Sequence, residues 1–142
     1  MNLSLPSGLA VIVALMSIPA CGPATSSYAR PFPTTLQQTS TIDVQAQRFE
    51  TQLRITNTSP RALGAGTVWV NSQWAYPLDG LEIGETVSLP LGRFLNEYSE
   101  RFRSGGFFAS ERPDTLMLVQ FEPAENPENE LIGLVAVGTR DR

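Results

Sequence analysis

Apolar and polar side chains alternate along this chain in short runs, with turn residues between the runs. A period of two puts alternate side chains on opposite faces of an extended strand, so each run reads as a strand with one face turned to a core. Thr41 to Gln47 sets Ile42, Val44 and Ala46 on one side. Arg48 to Thr56 sets Phe49, Thr51, Leu53 and Ile55 on one side, with Glu50, Gln52 and Arg54 on the other. The parity slips between Ala46 and Phe49 with no turn residue present, which predicts a bulge or bend rather than a hairpin. Asn57-Thr58-Ser59-Pro60 closes the run.

The pattern continues downstream. Thr67 to Tyr76 reads as one strand, with Trp69, Asn71 and Gln73 sharing a face. Pro77-Leu78-Asp79-Gly80 is a strong turn, because Pro pre-sets φ and Gly is free to take φ > 0. Thr86 to Leu91 alternates, and Pro90 marks an edge strand or a strand end, since it cannot donate to a ladder. Phe94, Leu95, Tyr98 and Phe102 fall at helical spacing, with Glu97 and Arg101 at i,i+4, so a short amphipathic helix is expected over 93–103. Phe107 and Phe108 are consecutive in an extended piece and are expected to point to opposite faces, one of them into the core. Thr115 to Glu122 is nearly continuous apolar and reads as a central strand, followed by an acidic loop and a last buried strand, Leu131 to Val137. The fold class expected is mainly β: an antiparallel β-sandwich of six or seven short strands with one short helix near 93–103. Strands apolar on both faces require cover on the second face, which that helix is expected to supply. The sandwich domain is expected over 41–138, and Thr41 to Val137 resembles the immunoglobulin and fibronectin III-like sandwiches, without a Cys–Trp–Cys signature.

Composition removes several chemistries. The 142 residues carry no His and no Lys, and a formal charge of −4. Without His there is no Ser-His-Asp or Cys-His site and no His-ligated metal. Without Lys there is no Schiff base and no phosphate-loop lysine. The acidic balance offers nucleic acid no basic field. The single Cys cannot form an internal disulfide, so the fold must hold without one.

That cysteine ends an apolar run from Leu9 to Ile18, about half of what is needed to span a hydrocarbon core of ~30 Å. The run fits the h-region of a signal peptide. Ile18-Pro19-Ala20-Cys21 resembles the lipobox of bacterial lipoproteins: an aliphatic residue, then a small residue at −1, then cysteine. The resemblance implies a lipoprotein signal peptide over 1–20, diacylglycerol on the Cys21 thiol, and Cys21 as the first mature residue. Gly22 in place of Asp implies an outer-membrane anchor facing the periplasm or exterior. The alternatives are an ordinary signal-peptidase cut after Ala20 or Ala29, and an uncleaved segment in which Cys21 is a small apolar residue. Residues 21–40, rich in Pro, Ser and Thr, read as a flexible tether, and 139–142 as a polar tail.

Candidate sites are few. Trp69, with Asn71 and Gln73 beside it, forms an aromatic platform with amides able to hydrogen-bond a protein or glycan partner, provided the 93–103 helix does not cover it. Phe107 is a second partner-binding candidate. The acidic run Glu122 to Glu130 lacks the order of a calcium loop and reads as a solvated hairpin loop. Asp79, Glu82 and Glu85 lie near turns without the spacing of a catalytic pair. No metal, cofactor or catalytic residue is expected. The function expected is a lipid-anchored, non-catalytic module of the cell envelope that binds or scaffolds a protein or glycan. An envelope enzyme using a carboxylate pair, or a structural subunit of a larger lipoprotein assembly, stands as the alternative.

Overall fold

In the computed structural model, which describes residues 28–138, seven strands hydrogen-bond into one mixed sheet. They are β1 (Gln37–Phe49), β2 (Gln52–Asn57), β3 (Gly66–Val70), β4 (Trp74–Leu78), β5 (Thr86–Pro90), β6 (Val119–Pro123) and β7 (Glu130–Val137). Their order across the sheet is β4-β3-β6-β7-β1-β2-β5. All neighbours are antiparallel except β1 and β7, which run parallel. The class is mainly β, as the alternation predicts, but the sheet curls into a half-barrel and is not two stacked antiparallel sheets. β1 is irregular along its length. Its register against β7 shifts between Gln38 and Ser40 and again between Ile42 and Gln45, and such irregularities bend a strand and increase its local twist.

The concave face holds the main core, in which Val44, Ile55, Val68, Phe94, Phe102 and Phe121 are buried together. A smaller cluster lies on the other face, where Trp69, Ala75 and Leu131 pack under Phe32 and Leu36. The cover that two-faced strands require therefore comes from residues 28–36. That stretch lies against the sheet and leads directly into β1 at Gln37, although its composition reads as tether.

Three local expectations are corrected. No helix forms over 93–103; the only helical turn among the described residues is the 3-10 segment Leu91–Arg93. The Phe102 amide donates to the Phe94 carbonyl at 3.0 Å and the Asn96 amide to the Glu100 carbonyl at 3.0 Å, which makes a tight hairpin-like loop. Asn96, only 2% exposed, stabilises it by accepting the amides of Tyr98 and Glu100 on its side-chain oxygen. An Asn that bonds nearby backbone in this way competes with the helix. Phe94 and Phe102 face each other across this loop and both enter the core, which mimics helical spacing.

The slip after Ala46 is a hairpin: Phe49 pairs with Gln52, and Glu50 turns the chain at φ 54°. Thr67 to Tyr76 is likewise a hairpin and not one strand. Asn71 and Ser72 take φ 51° and 54°, values that suit the twist of a tight β-turn. Pro90 does lie on an edge strand, β5.

Candidate functional site: a groove at the open end of the half-barrel

Asn71 is the residue that shapes this end of the molecule. From its left-handed position in the β3–β4 turn, its side-chain oxygen accepts the amides of Met117 at 2.8 Å and Leu118 at 3.0 Å. Its amide nitrogen donates to the Thr115 carbonyl at 2.7 Å, and its own backbone N–H donates to the Leu118 carbonyl at 2.9 Å. These four bonds draw 115–118 toward β3 and away from β7. β6 consequently begins only at Val119, and it pairs with β7 at just two positions, Gln120 with Gly133 and Phe121 with Ile132. Continued, that register would set Leu118 against Val135 and Met117 against Ala136, but the strands have already diverged. β7 runs on to Val137, held by β1 on one side through Val137 and Gln47. On its other side the edge from Leu134 to Val137 has no strand partner among the described residues.

A groove of about 650 Å³ opens where the strands part. Leu116, Met117, Ala136 and Val137 line the gap, and Thr51 and Arg48 approach from the β1–β2 hairpin. Arg48 is committed to structure. Its guanidinium donates to the carbonyls of Glu50 (3.1 Å), Ser104 (2.6 Å) and Asp114 (2.5 Å), tying the far wall to β1. Asp114 is bound in turn by the Arg103 side chain at 2.6 and 2.9 Å and by the Arg103 amide at 2.9 Å. Burial pushes the Asp114 carboxyl up, but the bonds and charge of Arg103 outweigh it and hold the group below the usual carboxylate range. The rim is apolar in part: Met117, which lines the groove, is 77% exposed.

The residues singled out in the sequence fall into different places. Trp69 is fully buried. Its indole N–H donates to Glu122 at 2.7 Å, Arg30 lies over its ring at 4.9 Å, and Phe32 meets it edge-on at 5.2 Å. Residues 28–36, not a helix, cover it. The shared face of Trp69, Asn71 and Gln73 is corrected as well, because the positive φ at Asn71 and Ser72 ends the alternation. Gln73 is exposed in that turn, and its amide donates to the Val70 carbonyl. Phe107 and Phe108 are both exposed, so neither enters the core. Cys21, the signal segment and the polar tail lie outside the described residues. The groove escaped the sequence reading because its cause is a side-chain clamp; the signal that pointed to it was Asn71-Ser72, a turn pair inside an apolar run.

Asp79, Glu82 and Glu85 are exposed, and the Glu85 carboxylate accepts the Glu82 amide at 2.8 Å. Among the described residues no three of Cys, His, Asp or Glu converge to hold a metal ion. The chain matches no protein-family model, no curated protein and no solved structure.

Proposed function

We propose that this chain is a lipid-anchored, non-catalytic module of a bacterial cell envelope that holds a protein partner by an extended segment of the partner's backbone. The observation that carries the reading is the open edge of β7 beside the groove. An unpaired edge presents alternate N–H and C=O groups at strand spacing, and an added strand satisfies them while neighbouring pockets read its side chains. Asn71 keeps the natural occupant of that edge, β6, from closing it. The lipobox resemblance at Ile18-Pro19-Ala20-Cys21 supports the anchor, and the exposed apolar side chain of Met117 at the groove supports burial of a partner side chain.

The test is site-specific photocrosslinking of the full chain in its native membrane, with the crosslinker placed in turn at Met117 and Ala136. One partner segment crosslinked from both positions, and lost when Asn71→Gly lets β6 close on β7, is the expected result. Adducts scattered over many proteins, or unchanged in the Asn71→Gly variant, would overturn the groove reading. Intact mass of the same preparation reads the acyl chains on Cys21 separately.

A further inference from the structure

The loop between Arg103 and Asp114 is a closed unit with an unusual tip. Its neck is fixed by the Arg103–Asp114 ion pair, by the Asp114 amide donating to the Arg103 carbonyl at 2.9 Å, and by Arg48 on the carbonyls of Ser104 and Asp114. At the tip, the Ala109 amide donates to the Gly106 carbonyl at 3.0 Å, so Phe107 and Phe108 are the two central residues of a β-turn. Phe107 and Phe108 are 96% and 94% exposed, and their rings meet edge to face at 4.9 Å. Two neighbouring apolar rings held on a firm neck and left uncovered by the described residues are a site awaiting a medium or a partner.

We propose that Phe107 and Phe108 dip into the bilayer that carries the lipid of Cys21, giving the domain a second, orienting contact with the membrane; this rests on the anchor proposed above. The shape favours a bilayer over a protein, since two rings at right angles on a convex tip offer no flat or concave surface for a partner to match. A bilayer interface accepts such a wedge, and apolar side chains bury there to a depth of about 5–10 Å. The exit of the chain favours it too. The Tyr28 hydroxyl donates to the Arg93 carbonyl, and Gly92, next to Arg93, abuts Ser104 at the loop neck, with 3.3 Å from its would-be Cβ to the Ser104 hydroxyl. Six residues lie between Cys21 and Tyr28, so the seven Cα–Cα steps reach at most ~25 Å and a lipid on Cys21 keeps this side of the domain near the surface. The loop from Arg103 to Asp114 carries Arg103 and Arg112 against Glu111 and Asp114, so the contact is apolar in origin and insensitive to salt.

The test uses the full-length acylated protein reconstituted in phosphatidylcholine vesicles containing one part in five phosphatidylglycerol. A polarity-sensitive fluorophore is attached at Phe107→Cys or, as a control, at Ile83→Cys. Ile83 is exposed near Asn57, at the end of β2 remote from the loop neck. The expected result is a blue shift and quenching by brominated acyl chains at position 107 but not at 83, unchanged in 0.5 M salt. Phe108→Ser is expected to lower the embedded-to-free ratio of the label roughly tenfold. Aqueous emission at 107 in a sample whose intact mass shows an acylated Cys21 overturns the tip and leaves the anchor standing. A shift at 107 without acylation sustains the tip and overturns the anchor. Equal shifts at 107 and 83, or a shift that requires added membrane protein, overturn the proposal.

Discussion

The indole N–H of Trp69 donates to the carboxylate of Glu122 at 2.7 Å, diagonally across the β3–β6 pair, and the same carboxylate oxygen takes Arg30 at 2.6 Å. One half-buried acceptor thus ties the 28–36 cover to the sheet. Trp74, on β4, is the opposite case: its indole nitrogen is buried and finds no acceptor among the described residues. The two tryptophans are expected to respond differently to the same change. Trp69→Phe removes a charge-assisted bond as well as volume and is expected to lower stability by about 3 kcal/mol. Trp74→Phe loses area but also an unsatisfied donor, and is expected to stay within about 1 kcal/mol of the parent. Urea unfolding of both variants measures the contrast, and equal losses would refute it.

The Arg103–Asp114 pair sets a pH dependence. Asp114 has a folded pKa below its unfolded value of about 3.9. A depressed carboxylate contributes stability that is present in full above the unfolded pKa and is lost as pH falls through the folded one. The stability difference between the parent and Asp114→Asn is therefore expected to be constant from pH 7 down to about pH 5 and to shrink below about pH 4. Thermal unfolding across that range measures it. A difference that grows on acidification would contradict the pairing.

Asn96 carries the loop that replaces the expected helix. It accepts two amides and donates to the Glu100 carboxylate at 2.7 Å from a buried position. Asn96→Ala leaves those amides without their acceptor and is expected to destabilise by about 2 kcal/mol. Proteolysis is expected to cut first within 94–102. Unchanged resistance there would show that Phe94 and Phe102 alone hold the segment.

Strand existence was legible because alternation reports burial directly: Val44, Ala46, Leu53, Ile55 and Val68 all lie where a period of two puts them. Gly and Pro do not settle where the turns fall: Pro77-Leu78-Asp79-Gly80 predicts a turn, but Pro77 and Leu78 pair with Thr67 and Gly66 in β4, an edge strand that tolerates the missing N–H. Turns form instead where other residues adopt positive φ, at Glu50 and at Asn71-Ser72, and nothing in those residue types demands it. The hairpin of Phe94 and Phe102 reads as a helix in the sequence, since two inward residues eight apart fit either geometry. Trp69 reads as a platform for a partner, but it is fully buried, under a cover that the alternation does not reveal. That cover is a Pro-rich stretch whose Phe32 and Leu36 reach the sheet only through long-range packing. The open β7 edge depends on bonds between residues more than forty positions apart, which no local pattern records.

Gly66 and Gly64 flank Ala65 and look equivalent in the sequence. A Cβ on Gly66 would lie 2.4 Å from the Glu122 carbonyl oxygen and 2.5 Å from the Phe121 ring, whereas one on Gly64 would meet nothing within 4 Å. Backbone cannot yield as a flexible side chain does, so Gly66→Ala is expected to cost about 3 kcal/mol and Gly64→Ala less than about 0.5 kcal/mol. Denaturant midpoints of the two variants decide the point; similar midpoints would mean that β3 and β6 can separate at this position.

Asn71→Gly tests the clamp itself. Glycine keeps the φ of 51° without strain and deletes only the side chain, so the β3–β4 turn survives while the amides of Met117 and Leu118 lose their acceptor. The Leu118 carbonyl points at β3, and strand alternation therefore turns the N–H and C=O groups of Val119 and Met117 toward β7. Across the gap, Leu134 and Ala136 present the matching groups in the register set by Gln120 and Gly133. Freed from Asn71, residues 117–119 are expected to zip onto β7 and fill the groove from within. Amide exchange at Leu134 and Ala136 is expected to slow in the variant, while global stability falls by no more than about 1–2 kcal/mol. Faster or unchanged exchange at those two amides would mean that the strands part for a reason other than Asn71.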